Sequence, residues 1–250
     1  MKKTILFITI TLLSIYPSKT NAQYIFSTSY TMDDGLAANR IYNILQDSLG
    51  FMWFCTDDGL SRFDGIRFKN YYLSDYVKTT VSNRVRSILI DRKNKMWIGL
   101  DNGIVIYDSH RDTFRAFDIT TDTGESIDAS VVDMIEDSDG EIWIATNGKG
   151  LYRFSPHAPV QLSVYRNIPK DIRSTTQNSI TALFQDVRQN IWVGTESEGV
   201  YCFDKEEDKF ISYKNTNDPN SLSDNSILKL FEDSHGNLWI GTFQNGLDLF

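Results

Sequence analysis

Five tryptophans set the terms for this chain. Trp53, Trp97, Trp143, Trp192 and Trp239 are all the tryptophans it has, and they stand 44 to 49 residues apart. Six residues before each lies an aspartate: Asp47, Asp91, Asp137, Asp186 and Asp233. Six or seven residues after each comes a glycine: Gly59, Gly103, Gly150, Gly199 and Gly246. An aromatic follows that glycine at Phe63, Tyr107, Phe154, Phe203 and Phe250. A period in the mid-forties with strand-like content is the mark of a propeller blade. The expected fold is therefore all-β: a β-propeller of four-stranded antiparallel blades, with five repeats present.

Each repeat divides into four strands. Short apolar runs bounded by turn residues predict a buried first strand at 41–46, 85–90, 131–136, 180–185 and 227–232. An Asp-led turn follows, closed by Gly50, Gly140 and Gly236 in three copies and by Asn94 and Asn190 in the other two. Asp caps such turns, and Gly or Asn takes the left-handed φ. The second strand carries the tryptophan between apolar neighbours, as in Ile142-Trp143-Ile144, and so reads as buried on both faces. Two residues after each tryptophan is a small one (Cys55, Gly99, Ala145, Gly194, Gly241), which predicts a close approach of backbones. Third and fourth strands grow more polar, for example 151–154 and 209–213. Falling apolarity from first to fourth strand predicts that the first lines the axis and the last faces water.

The ends differ from the middle. Lys2 and Lys3, the apolar stretch 5–15 and Thr20-Asn21-Ala22 have the form of an export signal, giving a signal peptide at 1–22 and a propeller region at 23–250. Residues 24–30 look like a lone fourth strand, and the fifth repeat stops after its third. Pairing those leftovers would close five blades and remove both edges. The other arrangement is an incomplete part of a larger, seven-bladed ring.

These residues resemble the two-component regulator propeller repeat. The last copy carries the resemblance most fully, from Asn225 and Ile227 through Asp233, Gly236, Leu238-Trp239-Ile240-Gly241-Thr242 and Gly246-Leu247 to Phe250. Asp34-Gly35-Leu36 is similar to the opening of such sensors. Departures are Cys55 and Ala145 for Gly, Leu100 for Thr, and Ala129 for Asn. The resemblance implies seven-bladed propellers, usually in tandem, outside the inner membrane of Bacteroidetes. It also implies continuation into an immunoglobulin-like domain, a membrane helix, a histidine kinase and often a DNA-binding domain. Such proteins sense oligosaccharides. On this reading the chain is the periplasmic front end of such a sensor, or a truncated copy. Its partners would be an oligosaccharide, the kinase, further blades and a second copy as a homodimer.

Chemistry is sparse by comparison. A net charge of −8 argues against nucleic acid, which needs a basic surface. Aspartates that repeat with the blade are turn formers, because an active site needs one asymmetric constellation. Asp137-Ser138-Asp139-Gly140-Glu141 is too short for a calcium loop. His110, His157 and His235 stand alone, and Cys55 and Cys202 read as small apolar residues. No catalytic, metal or cofactor site is assigned. Binding at the rim is the better expectation, because those loops vary on a constant scaffold. The candidate ligand-binding residues are Asp57, Asp58, Asn102, Asn147, Lys149, Glu196, Glu198, Gln244 and Asn245. A propeller-fold lyase or glycosidase, and a non-functional remnant, are the alternatives.

Overall fold

The computed structural model describes residues 27–77, 82–121, 124–156, 162–166 and 179–250. The expected signal peptide, Tyr24–Phe26, His157 and Asn178 lie outside them. Residues 27–30 form no strand and belong to a separate unit ending at Tyr30, so the expected fourth strand at 24–30 is not found there.

The second unit, Thr31–Phe250, is a succession of small antiparallel sheets. Blade 1 consists of β1 (Ile41–Gln46), β2 (Met52–Thr56), β3 (Gly59–Phe63) and β4 (Phe68–Tyr71). Blade 2 has β5 (Val85–Ile90), β6 (Met96–Leu100), β7 (Gly103–Asp108) and β8 (Thr113–Ala116). Blade 3 has β9 (Ser130–Glu136), β10 (Ile142–Asn147), β11 (Leu151–Phe154) and β12 (Ser163–Tyr165). Blade 4 has β13 (Ile180–Gln185), β14 (Ile191–Thr195), β15 (Val200–Asp204) and β16 (Lys209–Tyr213). Blade 5 stops at three: β17 (Ile227–Glu232), β18 (Leu238–Thr242) and β19 (Leu247–Leu249). First strands pack on one another in chain order, β1 on β5, β5 on β9, β9 on β13 and β13 on β17. The arc is open, not a closed five-bladed ring.

The turn after each first strand shows why aspartate precedes tryptophan by six. In blade 3, Asp137 Oδ1 accepts the backbone N–H groups of Asp139 (2.9 Å) and Glu141 (3.0 Å), while Oδ2 accepts Trp143 Nε1–H at 2.9 Å. The same indole–carboxylate bond is 2.8 Å at Trp53, 2.9 Å at Trp97 and Trp192, and 3.0 Å at Trp239. One carboxylate thus folds the turn and satisfies a polar atom that would otherwise be orphaned on burial. Asn94 takes the expected left-handed φ (61°). In blade 4 that conformation falls on Gln189 (φ 70°), because Asn190 instead donates its backbone N–H and its side-chain amide to the two carboxylate oxygens of Asp186.

The core is a set of layers between blades. One face of blade 1, with Trp53, Cys55 and Leu60, meets Val85, Ile88, Ile98 and Val105 of blade 2. Trp97 and Ile104 meet Val131, Met134 and Ile144 in the same way. Trp143, Ala145 and Leu151 meet Ile180, Leu183 and Val193. Trp192 and Val200 meet Ile227, Leu230 and Ile240. The small residue after each tryptophan makes room for the incoming strand. A Cβ on Gly99 would lie 2.6 Å from Val131 Cγ1, and one on Gly194 would lie 2.8 Å from Ile227 Cγ2. At about 1.5–3 kcal/mol per large buried apolar side chain, these layers carry the stability.

Burial is deepest at the second strand rather than at the first. The second strands are buried end to end in blades 2 and 4, while the first strands there are only partly so. The reason is geometric: a second strand has sheet on both edges and blades on both faces, whereas a first strand gives one edge to the axis.

Candidate functional site

Two positions of the repeat build the mouth of the axis. The first is the residue after Ile41, Val85, Val131, Ile180 and Ile227 of the first strands: Tyr42, Arg86, Val132, Thr181 and Leu228. The register shifts at this residue in blades 1, 2, 4 and 5, and in blade 3 the shift between Ala145 and Thr146 falls opposite Val132. Such bulges re-aim side chains. The second position follows Thr56, Leu100, Thr146, Thr195 and Thr242 at the end of the second strand: Asp57, Asp101, Asn147, Glu196 and Phe243. Tyr42, Arg86, Val132, Asn147, Thr181, Glu196, Leu228 and Phe243 line one open cavity of about 500 Å³. All five blades contribute to it, and its size suits a small ligand.

The sector of blades 1 and 2 is a charged network. Tyr42 Oη–H donates to Asp57 Oδ1 at 2.5 Å, and Arg84 Nε lies 3.0 Å from the same oxygen. Arg84 also reaches Asp101 Oδ2 (3.0 Å), while Arg86 Nε and Ser130 Oγ donate to Asp101 Oδ1 at 2.7 and 3.0 Å. Arg86 lies over the Tyr42 ring at 4.4 Å. The Tyr42 hydroxyl, helped by Arg84, holds Asp57 below the usual carboxylate range. Burial pushes Asp101 the other way, but Arg86, Ser130 and Arg84 outweigh it and hold Asp101 low as well.

Around the rest of the mouth the chemistry changes. Asn147 Oδ1 accepts Ser179 Oγ–H at 2.8 Å, and Glu196 is held through its backbone N–H to Ser179 O at 3.1 Å. Blade 5 presents carbon instead, with Leu228 and Phe243 both exposed. On the same strand as Leu228, Lys229 Nζ comes within 3.5 Å of Asp133 Oδ2 of blade 3. That oxygen also accepts Leu183 N–H of blade 4 at 3.1 Å. Burial pushes the Asp133 carboxyl up, against the pull of Lys229 and of the Leu183 and Met134 amides.

Of the nine rim residues expected from sequence, the structure brings two into the mouth, Asn147 and Glu196, with Asp57 joined to it through Tyr42. The others serve their own loops. Asp58 N–H donates to Thr56 Oγ1 at 3.2 Å, and Asn102 accepts Ser82 N–H at 2.9 Å beside a separate outer groove. The backbone carbonyl of Lys149 accepts Arg166 Nε–H, and Glu198 pairs with Lys214 Nζ at 2.5 Å. Gln244 N–H donates to Asp224, and Asn245 Nδ2–H to Ser223 O. The asparagines ahead of the first strands are caps: Asn39, Asn83 and Asn225 accept the N–H groups of Met32, Ser74 and Asn215.

Tyr42, Arg86, Thr181, Leu228 and Phe243 were not expected. Their signal is present in the repeat: the first mouth position varies among Tyr, Arg, Val, Thr and Leu while the residue before it is always Ile or Val. Cys55 is buried in the first inter-blade layer and Cys202 is half-buried, both as free thiols. Burial pushes Cys202 up to about 11, away from reactivity.

Known proteins share this architecture. A model of the two component regulator propeller matches residues 35–58, 81–102, 125–148, 175–197 and 221–244. Over 62 residues the chain is 39% identical to histidine kinase P4 of Formosa agariphila, a stretch covering 25% of this chain and 4% of that kinase. Among solved structures, it is similar to the extracellular domain of a protein described as a one component system of B. thetaiotaomicron. The TM-score is 0.66 at 22% identity, over 80% of this chain and 25% of that one. PorZ, a surface component of the type-IX secretion system of Porphyromonas gingivalis, gives 0.66 at 18% identity, over 90% and 34%. Virginiamycin B lyase of Staphylococcus aureus gives 0.59 at 13% identity, over 84% and 69%. At these identities the structural likeness is one of fold.

Proposed function

We propose, from the premise that this chain is built of five two-component regulator propeller repeats, that it is the extracytoplasmic ligand-sensing part of a two-component signalling system. Its ligand is an oligosaccharide held at the axial mouth, and its output passes to a histidine kinase. The observation that carries this reading is a contrast within the repeat. Asp, Trp and Gly recur in every blade and are spent on turns and layers, whereas the two mouth positions differ from blade to blade. Side-chain variety on a constant scaffold is how a fold acquires a binding site. The mouth offers a carboxylate and an amide at Glu196 and Asn147 and a guanidinium at Arg86, groups suited to sugar hydroxyls.

Calorimetry of the chain against a panel of plant and algal oligosaccharides tests this. The expected result is saturable heat with at least one oligosaccharide and no change in its length afterwards. Cleaved or unsaturated products would overturn the sensing reading in favour of a lyase or glycosidase. Silence across the panel at millimolar sugar would end the carbohydrate reading altogether.

A further inference from the structure

We propose that Phe243 is the stacking platform of the axial mouth, receiving a cyclic sugar unit with its C–H face on the phenyl ring and its hydroxyls toward Glu196 and Asn147. This deepens the sensing reading and rests on it. The equivalent position in the other four blades is Asp57, Asp101, Asn147 or Glu196, each a hydrogen-bonding group. Blade 5 alone places an aromatic there, 64% exposed. Leu228, on the first strand of the same blade, extends the apolar wall. Glu196 belongs to the adjacent blade and Asn147 to the one before it. The mouth therefore has its one exposed aromatic on the blade 5 side, facing hydrogen-bonding groups at Glu196, Asn147 and Arg86, with Val132 adding carbon on blade 3. A ligand that fits must be amphipathic by direction, apolar over a face and polar around its edge. A pyranose ring has that form, whereas an acyclic polyol has no fixed apolar face.

Tyr42, the other aromatic of the mouth, is already engaged. The guanidinium groups of Arg86 and Arg40 lie over its ring at 4.4 and 5.1 Å, and its hydroxyl is bonded to Asp57. The loop carrying Phe243 is pinned before any ligand arrives. Thr242 N–H bonds Gly246 O, Phe243 N–H bonds Ser226 O, each at 2.9 Å, and Asn245 Nδ2–H bonds Ser223 O at 2.7 Å. A platform held in place loses little freedom on binding.

The test is calorimetry of the full chain with cellohexaose, xylohexaose, maltohexaose and mannohexaose, with sorbitol as the acyclic probe. Phe243→Ala is expected to weaken the best-bound hexaose about tenfold or more, as loss of a central aromatic contact does. Phe243→Trp is expected to retain binding, and sorbitol to give no heat with any variant. Phe231→Ala is the control for general loss of exposed aromatic surface: it is 61% exposed on the same blade but lies outside the mouth. Equal affinity in wild type and Phe243→Ala would overturn the platform while leaving the sensing reading intact, and so would equal weakening by Phe231→Ala. A wild-type chain that binds none of the hexaoses would bring down the carbohydrate reading and the platform with it.

Discussion

Blades 3 and 5 carry the same motif in different surroundings. Trp143 is fully buried, and Leu151 beside it is 0% exposed, because blade 4 covers both. Their counterparts in blade 5 are Trp239, only partly buried, and Leu247, 69% exposed. Yet the Asp–Trp bond has nearly the same length in both, 2.9 and 3.0 Å. The motif therefore contains two separable devices. The aspartate, turn and indole N–H form within a single blade. The indole ring, the small residue after it and the apolar residue opening the third strand form one side of a layer, and they need a second sheet to complete it.

The largest effect that tests this division is at the tryptophans. Trp143→Ala removes a ring packed between Tyr165 and Phe203 and is expected to cost about 3–5 kcal/mol. Trp239→Ala, with one face toward water, is expected to cost about 1–2 kcal/mol. Urea midpoints followed by far-UV circular dichroism measure both. Equal losses would mean that the ring acts mainly inside its own blade. Next in size is a change of bulk at the small position. Gly194→Val drives side-chain carbon into Ile227 and is expected to cost about 2–3 kcal/mol. A Cβ on Gly241 meets nothing nearer than 3.5 Å, so Gly241→Val is expected to stay within about 1 kcal/mol of wild type. The same denaturation series reads out both.

The aspartates sharpen the division from the other side. Asp137→Ala leaves the Trp143 N–H, buried in the inter-blade layer, and the Asp139 and Glu141 amides of the turn without their acceptor. A loss of about 2–3 kcal/mol is expected. Asp233→Ala removes equivalent bonds from His235, Asn237 and Trp239, but water reaches that turn. About 1 kcal/mol is expected there. If the two aspartates cost the same, the value of the bond is local and owes nothing to the layer above it.

What could be read from sequence follows the same line. Strand positions, turn aspartates and the crowding at Gly99 and Gly194 were legible because they repeat, and repetition separates signal from chance. The mouth was legible only in part. Asn147 and Glu196 stood out as polar residues in a loop, the usual sign of a rim. Phe243 was passed over because an aromatic two residues beyond the strand's glycine reads as core, and Tyr42, Arg86 and Leu228 because they sit inside an apolar run. Their orientation depends on a bulge, which composition does not reveal. Glu198 and Asn245 were polar for another reason: they tie their loops to Lys214 and Ser223.

The smallest effect concerns the first-strand residue that follows the mouth position, where interior and terminal blades again part. Ser87 donates to Val131 O of the next blade at 2.9 Å, and Asp133 accepts Leu183 N–H of the next blade. Lys229 has no sixth sheet among the described residues to bridge to, and turns back to Asp133. Burial raises the Asp133 carboxyl above its ordinary value despite that ammonium. The folded state then holds this proton to higher pH than the unfolded chain does. The contribution is most favourable below the unfolded value of about 3.9 and is lost as pH rises through the folded one. Asp133→Asn keeps an oxygen for the Leu183 and Met134 amides and carries no charge. Its stability relative to wild type is therefore expected to improve as pH rises from 4 through the folded-state titration of Asp133. Urea midpoints at half-unit steps of pH measure the slope. A difference that is flat, or that runs the other way, would show that Lys229 fully neutralises Asp133 and that the terminal blade is a stronger electrostatic partner than its exposed faces suggest.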